Sequence, residues 1–317
     1  MADCKADVIA DAKPWAPPRC RCAEGSKFVV SLRQALRCIF SASGALVISW
    51  ISTLTMVTPV WAQGRLEAQY TASLAGIPIG KGSWKVEISD TQFTATASGT
   101  TTGLLHAFTG GEGSTDARGT LQAGRPASSV YVANISTSKK SDAVHITIAN
   151  GNVKEFTADP PQDHDPERVP ITEAHQHGII DPMAASLLRV PGSGDPLSAE
   201  ACQQSLAIFD GRLRYDLQLA FKRMDNVKAN KGYAGPVVVC AVYFSPVAGY
   251  IPSRTAIKYI AKLRDIEIWL APIAGTRVLV PFRAQGPSPI GHVMLEATEF
   301  VSVASPARAS ANGIKTQ

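Results

Sequence analysis

The chain has 317 residues, 45% of them hydrophobic and 18% charged. That apolar share supports a sizeable core and excludes wholesale disorder. The formal charge of +5 hides a near balance: residues 1–62 hold seven Lys/Arg and four Asp/Glu, leaving 24 basic and 22 acidic residues downstream. Such a balance excludes the concentrated basic face that nucleic-acid binding requires.

The first element is an export signal. Residues 1–28 are rich in Pro, Cys and charge and show no period. They read as a leader upstream of the true start, which falls near Val29, or else as an unusually long n-region. Arg33 and Arg37 then precede an apolar run from Ile39 to Val57, followed by Pro59 and Val60-Trp61-Ala62. A positive flank, an apolar stretch and small residues at a cut make a signal peptide over 29–62, with cleavage between Ala62 and Gln63. The alternative is an inner-membrane anchor over residues 39–57, but six Ser and Thr residues dilute that run. The expected location is therefore the periplasm.

Residues 63–305 read as one β-rich domain, and 306–317 as a flexible tail. Leu66, Ala68, Tyr70, Ala72 and Leu74 alternate with polar residues, as do Gly82, Trp84, Val86 and Ile88 after a turn at Gly76–Gly80. Period two of this kind marks strands with one buried face. Further strands are expected around Phe93–Ala97, Tyr131–Ile135, Val144–Ile148 and Val153–Phe156, the last pair joined at Asn150-Gly151. Residues 159–178 form a polar, Pro-rich loop. Asp181-Pro182 opens a short helix through Leu188, ended by Pro191-Gly192.

Leu213–Phe221 shows the clearest alternation, while Val237–Phe244 is apolar on both sides and belongs in the middle of a sheet. Thr255–Leu263 fits helix or strand. Ile266–Leu270, Arg277–Arg283 and Val293–Val301 complete a meander. The fold class is mainly β: about ten antiparallel strands in a strongly curled sheet or barrel-like domain with one short helix. Cys202 and Cys240 are the two cysteines left after cleavage, and an even pair in an exported chain predicts a disulfide. On the chain-entropy model it stabilises the fold by roughly 3–4 kcal/mol.

Chemistry-bearing patterns are sparse. His175-Gln176-His177 could offer two imidazoles to a metal, with His164 nearby, but no standard ligand spacing accompanies them. Gly99–Gly113 is Gly-rich and carries His106 and Glu112, which makes it a rim that could touch a ligand. Arg212 and Arg214 could meet an anion, or pair with Asp210 or Asp216. Gly192-Ser193-Gly194 lacks the spacing of a nucleophile elbow. No catalytic residue and no cofactor is assigned from the sequence.

Four segments carry a resemblance: YTASLAGIPIGKGSWKVEI (Tyr70–Ile88), TTGLLHAF (Thr101–Phe108), IFDGRLRYDLQL (Ile208–Leu219) and VLVPFRAQGPSPIGHVMLEATEF (Val278–Phe300). With these the chain resembles a family of Gram-negative envelope proteins, domain of unknown function 3108, over most of residues 65–302. The resemblance implies an exported β-rich domain, and it supplies neither an activity nor a functional residue. The expectation is a non-catalytic domain that binds a hydrophobic or lipid-like molecule in envelope maintenance. The alternatives are a hydrolase of envelope polymers and a scaffold that contacts envelope proteins through the 159–178 loop.

Overall fold

The computed structural model describes residues 63–103, 106, 110–122 and 125–305. The proposed leader, the signal with its cut at Ala62, the alternative anchor over 39–57 and the 306–317 tail all lie outside the described residues.

The first seven strands form an antiparallel meander: β1 (Gly64–Leu74), β2 (Ile77–Ile88), β3 (Gln92–Thr101), β4 (Glu112–Gln122), β5 (Arg125–Ser136), β6 (Ser141–Ala149) and β7 (Asn152–Asp159). Their turns follow local chemistry. Ala75 and Gly76 both take positive φ (49° and 81°), as do Asn150 and Gly151 (53° and 73°). Two consecutive left-handed residues make the hairpin turn whose twist matches that of the strands. The first turn is thus tighter than the Gly76–Gly80 span expected, and Ile77–Gly80 belong to β2.

A long connection follows β7. It contains α1 (Pro182–Ala185) and the two-residue β8 (Leu188–Arg189). Then come β9 (Ser205–Phe209), β10 (Arg214–Lys228), β11 (Lys231–Gly232), β12 (Ala234–Ala248), α2 (Thr255–Ile260), β13 (Glu267–Pro272), β14 (Val278–Ser288) and β15 (Gly291–Ala304). Thr255–Leu263 therefore resolves as helix over its first six residues. The helix expected to run through Leu188 stops at Ala185, and Leu188 instead pairs with Leu279 of β14.

One sheet holds all fifteen described strands. Its order is β7-β6-β5-β4-β3-β2-β1-β15-β14-β13-β12-β10-β9, with β11 on β15 and β8 on β14. The pairing is antiparallel except for the short β11–β15 contact. β1 and β15 join the two halves through eleven paired positions, interrupted by one bulge at Gln69/Tyr70.

Fifteen strands exceed the ten expected, and β4 is the largest omission. Its outward residues Glu112, Ser114, Asp116 and Arg118 alternate with Gly113, Thr115, Ala117 and Gly119. The inward set is small rather than greasy, so the alternation is one of size and escapes a hydrophobicity pattern. β10 departs from expectation in another way. A bulge between Phe221 and Arg223 reverses the faces. Leu219 and Phe221 both precede it on one face, where Leu219 is buried and Phe221 is 44% exposed, and after it Val227 turns into the main core.

The sheet curls until β7 and β9 face each other across a seam that no ladder closes. Residues 179–180 bridge it: Ile179 N donates to Gly151 O at 2.8 Å, and Ile180 N to Ala207 O at 2.9 Å. Phe156 of β7 meets Phe209 of β9 edge to face, with ring centroids 5.5 Å apart. The result is a barrel-like shell whose inner face carries the main core, including Leu66, Val86, Phe93, Ile146, Phe282 and Phe300.

A second core lies on the other face of β12. Val238, Cys240 and Val242 pack there with Leu188, Val190 and Leu279, beneath the connection that follows α1. Val237 and Val239 point into the main core. This double burial explains why Val237–Phe244 is apolar on both sides. Cys202 and Cys240 are joined by a disulfide with Cα atoms 5.5 Å apart, which ties that connection to β12. No helix among the described residues is long and apolar enough to cross a membrane.

Candidate functional site in the open end of the barrel

The inner face changes character along the strands. Toward the ends where β1 begins and β2 finishes, Leu66, Val86, Ile88, Phe93, Ile146 and Ile148 fill the interior. Toward the other end the inward positions shrink. Gly82 of β2 pairs with Gly99 of β3, Gly99 with Gly113 of β4, and Gly113 with Ile135 of β5. One row therefore carries three glycines on adjacent strands, between Tyr70 and Ile135. The next row inward runs from Trp84 to Ala97, Thr115 and Ala133.

Side chains of this size cannot fill a barrel interior. A cleft of about 710 Å³ opens there, walled by Tyr70, Trp84, Met183, Pro281, Leu295 and Ile135. The glycines differ in what they tolerate. A Cβ on Gly99 would meet only Lys81 O, at 3.5 Å, and one on Gly113 would lie 3.4 Å from Asn134 O. A Cβ on Gly82 would sit 2.9 Å from Ser98 O, so close strand approach requires glycine at that position. The Tyr70 hydroxyl donates to Pro281 O at 2.7 Å and fixes one wall.

Helix α1 supplies the floor through Met183 and Ser186. Its four residues are held by a buried N-cap. Asp181 is fully buried, and its carboxylate accepts from Met183 N at 3.0 Å and Ala184 N at 3.1 Å. The Ser128 hydroxyl donates to the other carboxylate oxygen. Burial pushes the Asp181 carboxyl up, against the pull of these hydrogen bonds. Asp210, in the β9–β10 turn, is also pushed up by burial, while Leu213 N (2.6 Å) and Arg212 N (2.8 Å) hold it down. The phenols of Tyr131 and Tyr215 rise because they are buried and because both carboxyls lie near them. This cluster anchors the floor and the seam.

The residues singled out in the sequence fall apart in space. His106 lies in the β3–β4 connection, exposed, with Nδ1 3.4 Å from Thr101 Oγ1, and it does not line the cleft. Glu112 does line it, as the first residue of β4. Arg212 bonds Asp142 at 3.0 Å and Pro160 O at 2.8 Å. Its partner is thus on β6, across the seam, and not Asp210 or Asp216 as expected. Arg214 pairs with Asp216 at 2.6 Å. Both guanidiniums serve the scaffold.

His175 Nδ1 accepts from Thr172 N at 3.1 Å, while His177 Nδ1 lies 3.0 Å from Asn152 Oδ1. The two imidazoles are spent on separate local contacts, and no metal-holding group of His, Cys, Asp and Glu occurs among the described residues. Sequence reasoning reached Gly99 and Gly113 as the ends of a Gly-rich rim that could touch a ligand, and passed over Trp84 and Met183 as site residues. The signal for the two glycines was inward positions that shrink along successive strands.

A crystal structure of a β-barrel-like protein of domain of unknown function DUF1849 from Brucella abortus is similar, with 10% identity and a TM-score of 0.40 over 76% of this chain and 98% of that one. No curated protein matches the sequence. The model of the protein family of unknown function DUF3108 matches residues 69–298, which spans both halves of the sheet and every wall of the cleft, and the chain belongs to that family.

Proposed function

We propose that the domain is an exported, non-catalytic binding protein that holds a lipid-like molecule in the open end of its barrel. One observation carries this reading: the inner face passes from bulky side chains to a row of glycines, so a cleft of about 710 Å³ opens where the barrel would otherwise be filled. Pockets of a few hundred to roughly 1,000 Å³ with apolar walls suit small apolar ligands. Tyr70, Trp84, Met183 and Leu295 supply the apolar surface, and few charges face it. The Cys202–Cys240 disulfide is compatible with folding outside the cytoplasm. A role in envelope maintenance is part of the same proposal.

A hydrolase reading would need His106, Glu112, His175 and His177 to converge. The first two sit where β3 ends and β4 begins, at the open end. His177 contacts Asn152 beside the β6–β7 turn, at the opposite end. The 159–178 loop of the scaffold reading is bound to the body through Arg168, whose Nη1 donates to Gly249 O at 2.7 Å, and through Val169.

The test is native mass spectrometry of the gently purified protein, together with binding of the fluorescent apolar probe N-phenyl-1-naphthylamine. The expected result is a co-purifying lipid-like mass and saturable probe binding. The double substitution Gly99→Val and Gly113→Val fills the cleft from two strands that have room for a Cβ. It should abolish both signals while leaving the circular dichroism spectrum unchanged. Undiminished probe binding in a folded double variant would overturn the proposal.

A further inference from the structure

The apolar lining does not stop at the cleft. Leu74 pairs with Val293 and Ala72 with Leu295 across β1 and β15, and Leu74 pairs with Ile77 across β1 and β2. All these positions share the inward face, yet Ile77 is 67%, Val293 40% and Leu295 41% exposed. Ile290, in the β14–β15 turn, is 74% exposed. The two hairpin tips touch, because Ala75 N donates to His292 O at 2.8 Å. Their large aliphatic side chains thus form one continuous exposed arc at the rim. Scattered surface aliphatics need no explanation, whereas a contiguous set beside a cleft marks an interaction surface.

Charge is placed on both sides of this arc. The arc belongs to β2, β1, β15 and β14, which are consecutive in the sheet. On one flank, the β5–β6 turn leaves the same end of the sheet and carries Lys139 and Lys140, both exposed. On the other, the β12–β13 connection carries α2 with exposed Arg254, Lys258, Lys262 and Arg264. Asp265 is the single acid within these two connections. Glu112 lies on β4, and Asp163, Asp165 and Glu167 follow β7 in a segment that Val169 bonds to Tyr250, where the β12–β13 connection begins. An apolar centre between cationic flanks matches a bilayer with anionic headgroups, where aliphatics enter the acyl boundary and lysines stay at the phosphates.

We infer that the rim formed by the β1–β2 and β14–β15 hairpins docks the domain, mouth first, on an anionic lipid surface. Ile77 and Ile290 enter the interface, while Lys139, Lys140, Lys258 and Lys262 meet the headgroups. Docking in this pose opens the cleft directly onto the acyl region. The inference goes beyond cleft occupancy, because Ile77 and Ile290 line no part of the cleft.

The experiment is flotation of the full chain, as purified, with vesicles of phosphatidylcholine alone and of phosphatidylcholine with phosphatidylglycerol. The protein should float with the anionic vesicles and lose most of that binding at high salt. Ile77→Glu with Ile290→Glu should abolish flotation yet keep N-phenyl-1-naphthylamine binding. Lys139→Gln with Lys140→Gln, at about one kcal/mol or fivefold per lysine, should weaken anionic binding by at least roughly tenfold. Three outcomes would overturn the inference: protein that remains unbound with both vesicle types, an Ile77→Glu/Ile290→Glu variant that floats like the parent, or a stable dimer in solution that the same variant dissociates. Loss of probe binding in a protein that still floats would sink the cleft proposal alone.

Discussion

Glu267, on β13, shows how one side chain can tie its strand to β10, beyond the intervening β12. It is 8% exposed and accepts from Lys222, which bonds Oε1, and from Arg223, whose Nη1 and Nη2 reach it at 3.1 and 3.0 Å. Arg223 also lies over the Trp269 ring at 5.4 Å, with Arg283 at 5.1 Å. The paired guanidinium brings the Glu267 carboxyl down from 4.5 to about 2. A carboxylate whose folded value is depressed adds stability above its unfolded value, and that stability is lost as pH falls through the folded one. The contribution is therefore present at neutral pH and disappears between about 4.5 and about 2. Glu267→Gln should cost about 1–3 kcal/mol at neutral pH, because hydrogen bonds to a charged acceptor are lost. Urea midpoints measured against pH should show the variant approaching the parent as acid removes the charge. A constant gap down to the lowest pH would contradict this account.

Elements depend on contacts their own sequence does not contain. Four-residue α1 is too short to persist by propensity. It holds because Asp181 caps it and Ser128, on β5, orients that carboxylate. The cap was legible from Asp181-Pro182, since Asp accepts from the first-turn amides and Pro suits N1. The partner on β5 was not, because 53 residues separate it from the cap. The connection after α1 packs against β12 through the disulfide and the second core. Replacing both Cys202 and Cys240 by Ala should lower the unfolding free energy by about 2–4 kcal/mol. Hydrogen exchange should then quicken first in 188–204, because that segment makes few ladder bonds of its own. Uniform quickening across β1–β7 instead would show that the bridge does not act locally.

At the scale of the whole molecule, the seam decides whether the sheet is a shell or an open ribbon. Residues 179–180, the Phe156–Phe209 pair and Arg212–Asp142 hold β7 and β6 against β9 and the start of β10. Phe209 is completely buried. Phe209→Ala should cost about 3–5 kcal/mol, as for other large aromatic truncations in a core. Amides of β7 and β9 should exchange faster in that variant while the β1–β15 junction stays protected. Arg212→Gln removes the partly exposed ion pair with Asp142 and the bond to Pro160 O, and its effect should stay at about 1 kcal/mol. If Phe209→Ala leaves the exchange of β7 unchanged, the seam does not govern closure.

Local alternation by itself determined a great deal. A strand with one buried face must repeat every second residue, so Leu66–Leu74, Trp84–Ile88 and Leu213–Leu219 announced themselves. Asn150-Gly151 likewise announced a left-handed turn, and two lone downstream cysteines announced a bridge. What only the tertiary structure decided is the cleft and its rim. A glycine read alone is a turn or a weak point. Gly82, Gly99 and Gly113 become a cavity because the registers of three strands set them side by side. Arg212 found Asp142, 70 residues away, for the same reason. Register and curl depend on the whole sheet, so no local pattern could state which small residues would meet, nor which end of the barrel would stay open.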